Sequence, residues 1–326
     1  MFRRTSLRRS WILLTLLALA CDEVRCQDIG PAQLNILQKV RPADVKMQPY
    51  PHLVIKEALP WDVYNKLEAV YPSDQTIVSI AQGSSKPPEQ NKRYDIKGAN
   101  ALANENQIDP LWVAFVKYHT SPAFYKEVLR VFGHALQVSR PDFARPGRNL
   151  TALTTKLRHT EDEKTHVAID CSIGINTPVK QRSTVRGPHH DDIMELWAGL
   201  LYLKNEKDTS TGGDLQVMKC KNARAPCKEL SEHAHKVKKV PSNQQYWHGH
   251  MDVVTTAGYA KNTLVWFINS QKAVHSVTNR VPTPYSRRLV NFIGQKVMLD
   301  EHGHVIQKKG NLLKVVQNKV ASSHGR

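Results

Sequence analysis

The first candidates for metal chemistry are His189 and Asp191, in the stretch VRGPHHDD. Residues two apart in an extended strand project from the same face, so this imidazole and carboxylate can bind one ion. Together they leave a divalent metal under-coordinated, and His275, in the context NSQKAVHSVTNR, offers a third ligand. Two histidines and one aspartate form a facial triad, which holds Fe(II) on one side. Three positions stay open, two for a bidentate cosubstrate and one for O2.

A cation follows His275 at the entrance of a predicted strand. The segment PYSRR, residues 284–288, precedes the strand-like LVNFIGQ. A buried arginine in such a place can form paired hydrogen bonds with a carboxylate. The sequence therefore combines a metal-ligand pattern with a candidate anion-binding side chain.

These residues, with the turn Gly212-Gly213-Asp214, resemble the Fe(II)/2-oxoglutarate-dependent dioxygenases of the prolyl 4-hydroxylase-like superfamily. The resemblance covers about residues 165–296, with the ligand motifs in order. It implies Fe(II) as the metal, 2-oxoglutarate and O2 as cosubstrates, and it leaves ascorbate open as a further cofactor.

In such enzymes an arginine or lysine, often with a tyrosine hydroxyl, meets the distal carboxylate of 2-oxoglutarate. The resemblance gives this role to Arg287, with Tyr202 as the hydroxyl and Asn291 on the same strand face as Arg287. Arg288, on the opposite face, is the alternative cation. Tyr202 and Asn291 are also compatible with purely structural roles.

The sequence departs from the family pattern beside the first two ligands. Related sequences often have an apolar residue between them and Asn after the Asp, whereas here His190 and Asp192 stand there. A shifted register, in which His190 and Asp192 bind the metal, therefore stays open. Either register keeps a metal site.

Residues 1–26 are predicted to be a signal peptide. Four arginines precede the apolar run from Trp11 to Cys21, and Ala18-Leu19-Ala20 supplies small residues for cleavage. The run is shorter than the ~20 residues of a membrane-spanning helix, so a retained anchor or a lipidated Cys21 is the lesser alternative. We expect a protein of the secretory lumen or cell exterior, or of the periplasm in a bacterium. We expect no stable membrane span after signal removal.

The rest of the chain is predicted to be α+β. Residues 27–164 are predicted to form a helical extension that packs on the core, with one strand at 51–56. Within it, helices are predicted to begin at Asp109-Pro110 and at Ser121-Pro122, and the second of these to end at Gly133. Residues 165–300 read as short strands between turns, which predicts a double-stranded β-helix, or jelly roll. Residues 301–326 read as a basic tail. The polar segment 83–93 is either a lid or a surface connection.

The charge balance is strongly basic, with 46 Lys and Arg against 29 Asp and Glu and a formal net charge of +17. The excess lies in a Lys-rich loop after residue 219 and in the tail, and no nucleic-acid motif accompanies it. We interpret the excess positive charge as a solvated surface that keeps the protein soluble. The alternative is that it binds anionic partners such as acidic glycans, and we expect no nucleic-acid partner.

Two cysteines of the Lys-rich loop, Cys220 and Cys227, are predicted to form a local disulfide in a secreted chain. The following His233 and His235 leave a zinc site as the alternative. Cys171 lies in an apolar run and is predicted to be a buried core thiol.

Three classes of function remain: a secreted hydroxylase, a non-catalytic jelly-roll binding module and a basic polyanion-binding protein. The complete triad and the arginine favour a 2-oxoglutarate-dependent dioxygenase. By resemblance, prolyl residues of secreted proteins are the leading substrate. A glycan, a lipid or a small metabolite is the alternative, because a shared fold is weak evidence about substrate.

We predict that the mature protein lacks its first twenty to twenty-six residues, because the basic and apolar stretches form a cleavable signal. Mass spectrometry of the protein from its native compartment measures this. An intact Met1 on a cytosolic protein, or free alkylation of Cys220 and Cys227 without reductant, contradicts it.

Overall fold

The computed structural model describes residues 29–83, 89–221, 246, 248–298, 306–309 and 312–315. The predicted signal peptide lies outside these residues. In the described part, no helix is both long and apolar enough to cross a membrane. The α-helices are α1 (Pro31–Leu34), α2 (Trp61–Ala69), α3 (Asp74–Gln82), α4 (Gly98–Ala103), α5 (Pro110–His119) and α6 (Pro122–Ser139). The short 3-10 helices are Pro42–Asp44, Glu105–Gln107, Leu150–Ala152 and His248–His250.

The strands form two facing sheets and a separate hairpin. They are β1 (His52–Lys56), β2 (Arg93–Ile96), β3 (Thr155–Leu157), β4 (Val167–Asn176), β5 (Glu195–Tyr202), β6 (Leu215–Cys220), β7 (Met251–Ala257), β8 (Thr263–Ile268), β9 (His275–Val277), β10 (Arg287–Lys296), β11 (Ile306–Lys309) and β12 (Leu312–Val315). The major sheet has the order β1-β8-β5-β10-β4-β2, with β3 paired to β4. The minor sheet has the order β7-β6-β9, and β11 pairs with β12.

The major sheet is buried on both of its faces. One face packs on the helices, where Trp266 of β8 stacks on Phe132 of α6 at 5.5 Å between ring centroids. The other face packs on the minor sheet, through a cluster that includes Tyr202, Leu215 and Leu289. These layers confirm the predicted α+β jelly roll with a helical buttress. They also explain why the long strands read as nearly continuous apolar runs.

The segment 27–164 contributes strands as well as helices. Strand β1 was expected, but β2 and β3 were missed, and all three belong to the major sheet. Both missed strands are short, so a sequence pattern alone identifies them poorly, and the long β4 supplies the pairing that fixes them. The tail beyond residue 300 likewise contains the hairpin of β11 and β12.

The expected helix starts are present, but one helix end is not where the sequence placed it. The Asp109 carboxylate accepts from the Leu111 N–H, and the Ser121 hydroxyl accepts from the Phe124 N–H. Gly133 does not end α6, which runs on to Ser139. Burial of the apolar residues after Gly133 outweighs the roughly 0.5–1 kcal/mol that a glycine costs within a helix.

A glycine substitution in β10 tests how tightly the helix-facing layer is packed. A Cβ at Gly294 would overlap the ring of the fully buried Trp197. We expect Gly294→Ala to lower the free energy of unfolding by about 1–3 kcal/mol, measured by denaturant unfolding.

The matched control is Gly133→Ala in α6, where nothing lies within 4 Å of the added Cβ. It should stabilise the protein by about 0.5–1 kcal/mol. Equal effects of the two substitutions would show that the Trp197 contact is not as tight as described.

Candidate metal centre

The backbone brings the two predicted histidine ligands together. The His189 N–H donates to the His275 carbonyl at 2.9 Å, and the His275 N–H donates to the His189 carbonyl at 2.8 Å. Residues directly opposite each other in an antiparallel pair project from the same face. The two imidazole rings therefore lie side by side, with 4.2 Å between their centroids.

Asp191 completes the group from the same segment. Its carboxylate oxygens lie 3.5 Å from Nε2 of His189 and 3.5 Å from Nε2 of His275. One ligand atom from each residue can be chosen so that all lie within 4.8 Å of one another. The structure therefore gathers the three residues of the sequence-predicted triad.

Backbone carbonyls orient both histidines for metal binding. Nδ1 of His189 donates to the Gly187 carbonyl at 2.7 Å. Nδ1 of His275 donates to the Ala273 carbonyl at 3.0 Å. Each contact fixes the tautomer that leaves the Nε2 lone pair free, which is a frequent arrangement around protein-bound metals.

The electrostatics of the site favour the protonation states that a metal requires. Burial, with the neighbouring His189 adding to it, lowers the pKa of His275 to about 4, so the imidazole is neutral at physiological pH. Burial opposes ionisation of Asp191, but His275, His189 and Arg186 outweigh it and hold the pKa of this carboxyl well below its usual range. Neutral imidazole and ionised carboxylate are the metal-binding forms. A set of two imidazoles and one carboxylate fits Fe(II).

The alternative ligand pair points elsewhere. His190 packs beside Tyr246, and its Nδ1 donates to the Asp191 carbonyl at 2.8 Å. The Asp192 carboxylate accepts from the Met194 N–H at 3.1 Å. The structure thus brings His189 and Asp191, rather than these neighbours, to His275.

A cavity of about 380 Å³ lies beside the three ligands, between the two sheets. Arg287 and Asn291 of β10 line it together with the triad. Its apolar walls come from both sheets and are formed by Ala198, Leu200, Leu215, Phe267 and Ile293. The cavity therefore joins the candidate metal centre to the candidate carboxylate-binding cation.

Arg287 is a buried cation whose hydrogen-bond acceptors are all neutral. Its Nε donates to the Gly213 carbonyl at 2.7 Å, and its two terminal nitrogens donate to Asn176 Oδ1 and to the Tyr202 hydroxyl, each at 3.0 Å. Among the described residues, no carboxylate forms an ion pair with it. A buried charge without a counter-ion is costly. The cavity at Arg287 is therefore suited to an anion from outside, such as the distal carboxylate of 2-oxoglutarate.

The other predicted cosubstrate residues take different positions. Tyr202 is fully buried, and its hydroxyl contacts the guanidinium of Arg287 rather than lining the cavity. Arg288 points to the opposite face of β10, where it contacts Glu68 at 3.4 Å and lies 5.2 Å from the ring centroid of Tyr71. Because successive residues of a strand point to opposite faces, Arg287 faces the cavity and Arg288 faces the helices.

Four charged residues that the sequence reasoning missed also line the cavity: Arg93, Asp95, Arg186 and Glu195. Burial, with the nearby Asp191 adding to it, raises the pKa of Glu195 to about 8. Two features of the sequence could have identified Arg186 and Arg93. Arg186 lies three residues before the first ligand, and β2 alternates polar and apolar residues as a half-buried strand does.

The cysteines bear on the compartment. Cys220 is disulfide-bonded, while Cys227, His233 and His235 lie outside the described residues. Cys171 is a buried free thiol, as predicted. The pairing of Cys220 with Cys227 stays a prediction.

Comparison with solved structures finds matches of low similarity. A prolyl-4-hydroxylase from Pseudomonas putida is 13% identical and covers 78% of this chain and 98% of its own, with a TM-score of 0.39. The epimerase SnoN, solved with Fe3+ and alpha ketoglutarate, is 10% identical over 82% of this chain and 85% of its own, with a TM-score of 0.37. A prolyl hydroxylase from Trichoplax adhaerens is 11% identical over 89% and 94%, with a TM-score of 0.34. No protein-family model and no curated protein matches the sequence. The functional assignment therefore rests on the site itself.

We predict that Asp191→Ala abolishes tight Fe(II) binding, with affinity reduced by at least about 100-fold, because it removes a ligand rather than an outer partner. Anaerobic calorimetric titration measures this, with circular dichroism as the check on folding. Asp192→Ala is the matched control and should bind the metal as the unsubstituted protein does. The reverse result would establish the shifted register.

Proposed function

We propose that this protein is an Fe(II)- and 2-oxoglutarate-dependent dioxygenase that hydroxylates a substrate of the secretory pathway or the cell exterior. One observation carries the proposal. A His-Asp-His triad and a buried arginine without a counter-ion line the same cavity. The triad fits a metal with open positions, and the arginine fits an anionic cosubstrate.

The chain's residues divide the work in this reaction. When bound, Fe(II) and 2-oxoglutarate supply the activation of O2, with 2-oxoglutarate converted to succinate and CO2 and one oxygen atom passed to the substrate. His189, Asp191 and His275 hold the metal from one side. Arg287, fixed by its neutral partners, orients the cosubstrate. The apolar walls of the cavity limit the access of water to the reacting groups.

The two alternative functions explain less of the site. A non-catalytic binding module needs neither a complete triad nor histidines whose Nε2 atoms are left free. A polyanion-binding protein needs cations at its surface, whereas Arg287 is 1% exposed. The hydroxylase proposal uses all of these features.

The proposed compartment and substrate have separate support. The disulfide at Cys220 suits an oxidising lumen or the cell exterior. Prolyl residues of secreted proteins remain the leading substrate class, and a glycan, lipid or small metabolite remains the alternative.

The direct test is succinate formation by purified protein supplied with Fe(II), 2-oxoglutarate and O2. The assay is run without a substrate and with proline-containing peptides, each with and without ascorbate. We expect metal-dependent succinate release that Asp191→Ala eliminates. Release that is absent under every condition, or equal in the Asp191→Ala variant, would refute the proposal.

We predict that Arg287→Ala raises the apparent KM for 2-oxoglutarate by about ten-fold or more. Loss of one partner of a buried charged pair costs on the order of 2–5 kcal/mol, and about 1.4 kcal/mol corresponds to ten-fold in affinity. Succinate release as a function of 2-oxoglutarate concentration measures it.

The matched control is Arg288→Ala, which removes a cation from the helix-facing side of the same strand. It should leave the KM within about two-fold of the unsubstituted value, because Arg288 does not line the cavity. A larger increase in KM for Arg288→Ala than for Arg287→Ala would show that the distal carboxylate of 2-oxoglutarate binds on the other face of β10.

A further inference from the structure

Two further arginines, Arg93 and Arg186, line the cavity that holds the triad. Arg186 precedes the first metal ligand by three residues, and its guanidinium lies 3.5 Å from a carboxylate oxygen of Asp191. Arg93 enters from β2, on a different part of the major sheet. Neither is a metal ligand or a predicted partner of 2-oxoglutarate, although Arg186 helps to keep Asp191 ionised.

Arg93 has donor capacity that its partner does not use. Its Nε lies 2.9 and 2.8 Å from the two carboxylate oxygens of Asp95. One terminal nitrogen of the same guanidinium is buried and has no hydrogen-bond partner. A buried donor left unpaired is unfavourable, so this nitrogen is suited to an acceptor that enters the cavity.

With Fe(II) and 2-oxoglutarate bound, the charges of the site do not balance without another anion. This count rests on the proposed function. The metal dication, the Asp191 carboxylate and the 2-oxoglutarate dianion sum to one negative charge, which Arg287 cancels. Arg93 is matched by Asp95. Arg186 is left over, because among the described residues the only carboxylate within ion-pair distance of it belongs to the metal ligand Asp191.

We infer that Arg186, assisted by Arg93, binds an anionic group of the substrate, of which a carboxylate is the simplest form. A guanidinium presents paired N–H donors that match the two oxygens of a carboxylate. Arg186 is thus a specificity-determining residue. It selects acidic substrates and holds the anion close to the metal, so that the oxidised carbon lies near the anionic group.

The test uses a simple anion beside a metal that reports distance. The protein is loaded with Co(II), which is paramagnetic, and saturated with 2-oxoglutarate so that Arg287 is occupied. Trifluoroacetate is titrated in, and its fluorine NMR line is followed, with trifluoroethanol as the neutral probe of similar size. We expect saturable broadening of the trifluoroacetate line and none of the trifluoroethanol line.

Substitutions then locate the bound anion. Arg186→Gln should weaken trifluoroacetate binding by about ten-fold, which corresponds to roughly 1.4 kcal/mol. Arg186→Lys should restore part of it, because the charge is kept and the fork is lost. Arg288→Gln is the matched control and should change nothing. Co(II) is kept at saturation in every sample, because Arg186 also contacts the metal ligand Asp191. Titrations of 2-oxoglutarate on the same samples should give affinities within about two-fold of the unsubstituted protein.

Each contrary result has a distinct meaning. Equal broadening of both probes, or unchanged trifluoroacetate binding in Arg186→Gln, overturns the inference. A ten-fold loss of 2-oxoglutarate affinity in Arg186→Gln also overturns it, since the arginine then serves the cosubstrate. If the unsubstituted protein binds Co(II) but not 2-oxoglutarate, the proposed function fails together with the charge count. If it binds 2-oxoglutarate and not trifluoroacetate, only the inference fails.

Discussion

The candidate site depends on one antiparallel backbone contact, the pair of hydrogen bonds between His189 and His275. It joins two segments that are far apart in sequence and places two imidazoles on the same face. In each case Nδ1 then donates to the carbonyl two residues earlier in the chain. The same local geometry thus orients both rings. Preformed ligand geometry of this kind lowers the cost of ordering the site on binding.

The helices determine which face of the major sheet lines the cavity. They cover one face of the major sheet, so Val290 and Phe292 of β10 pack into the helical layer. The alternate residues of that strand, Arg287 and Asn291, must then face the minor sheet. Arg287 is therefore buried by the fold and cannot reach solvent. Its charge is held by neutral dipoles and aromatic rings, an arrangement that an incoming anion completes.

The sequence predicted the parts of the site whose spacing is local. His189 and Asp191 are two residues apart, and the phase of β10 follows from alternation alone. Contacts set by long-range pairing escaped it. Arg93 reaches the cavity only because β2 pairs with β4. The helix end predicted at Gly133 was wrong, because burial of later residues in α6 outweighs the low helix propensity of glycine. Tyr202 lies on the predicted strand, where its hydroxyl accepts a hydrogen bond from Arg287. Its contact with the cosubstrate stays a prediction.

The most direct measurement is a crystal structure of the protein grown without oxygen, with Fe(II) and 2-oxoglutarate, and with the metal located by its anomalous scattering. The account predicts one metal ion bonded to Nε2 of His189, the carboxylate of Asp191 and Nε2 of His275. It also predicts one 2-oxoglutarate that binds this metal and extends its distal carboxylate to Arg287. A metal bound through His190 and Asp192, or a 2-oxoglutarate carboxylate paired with another cation, would contradict it.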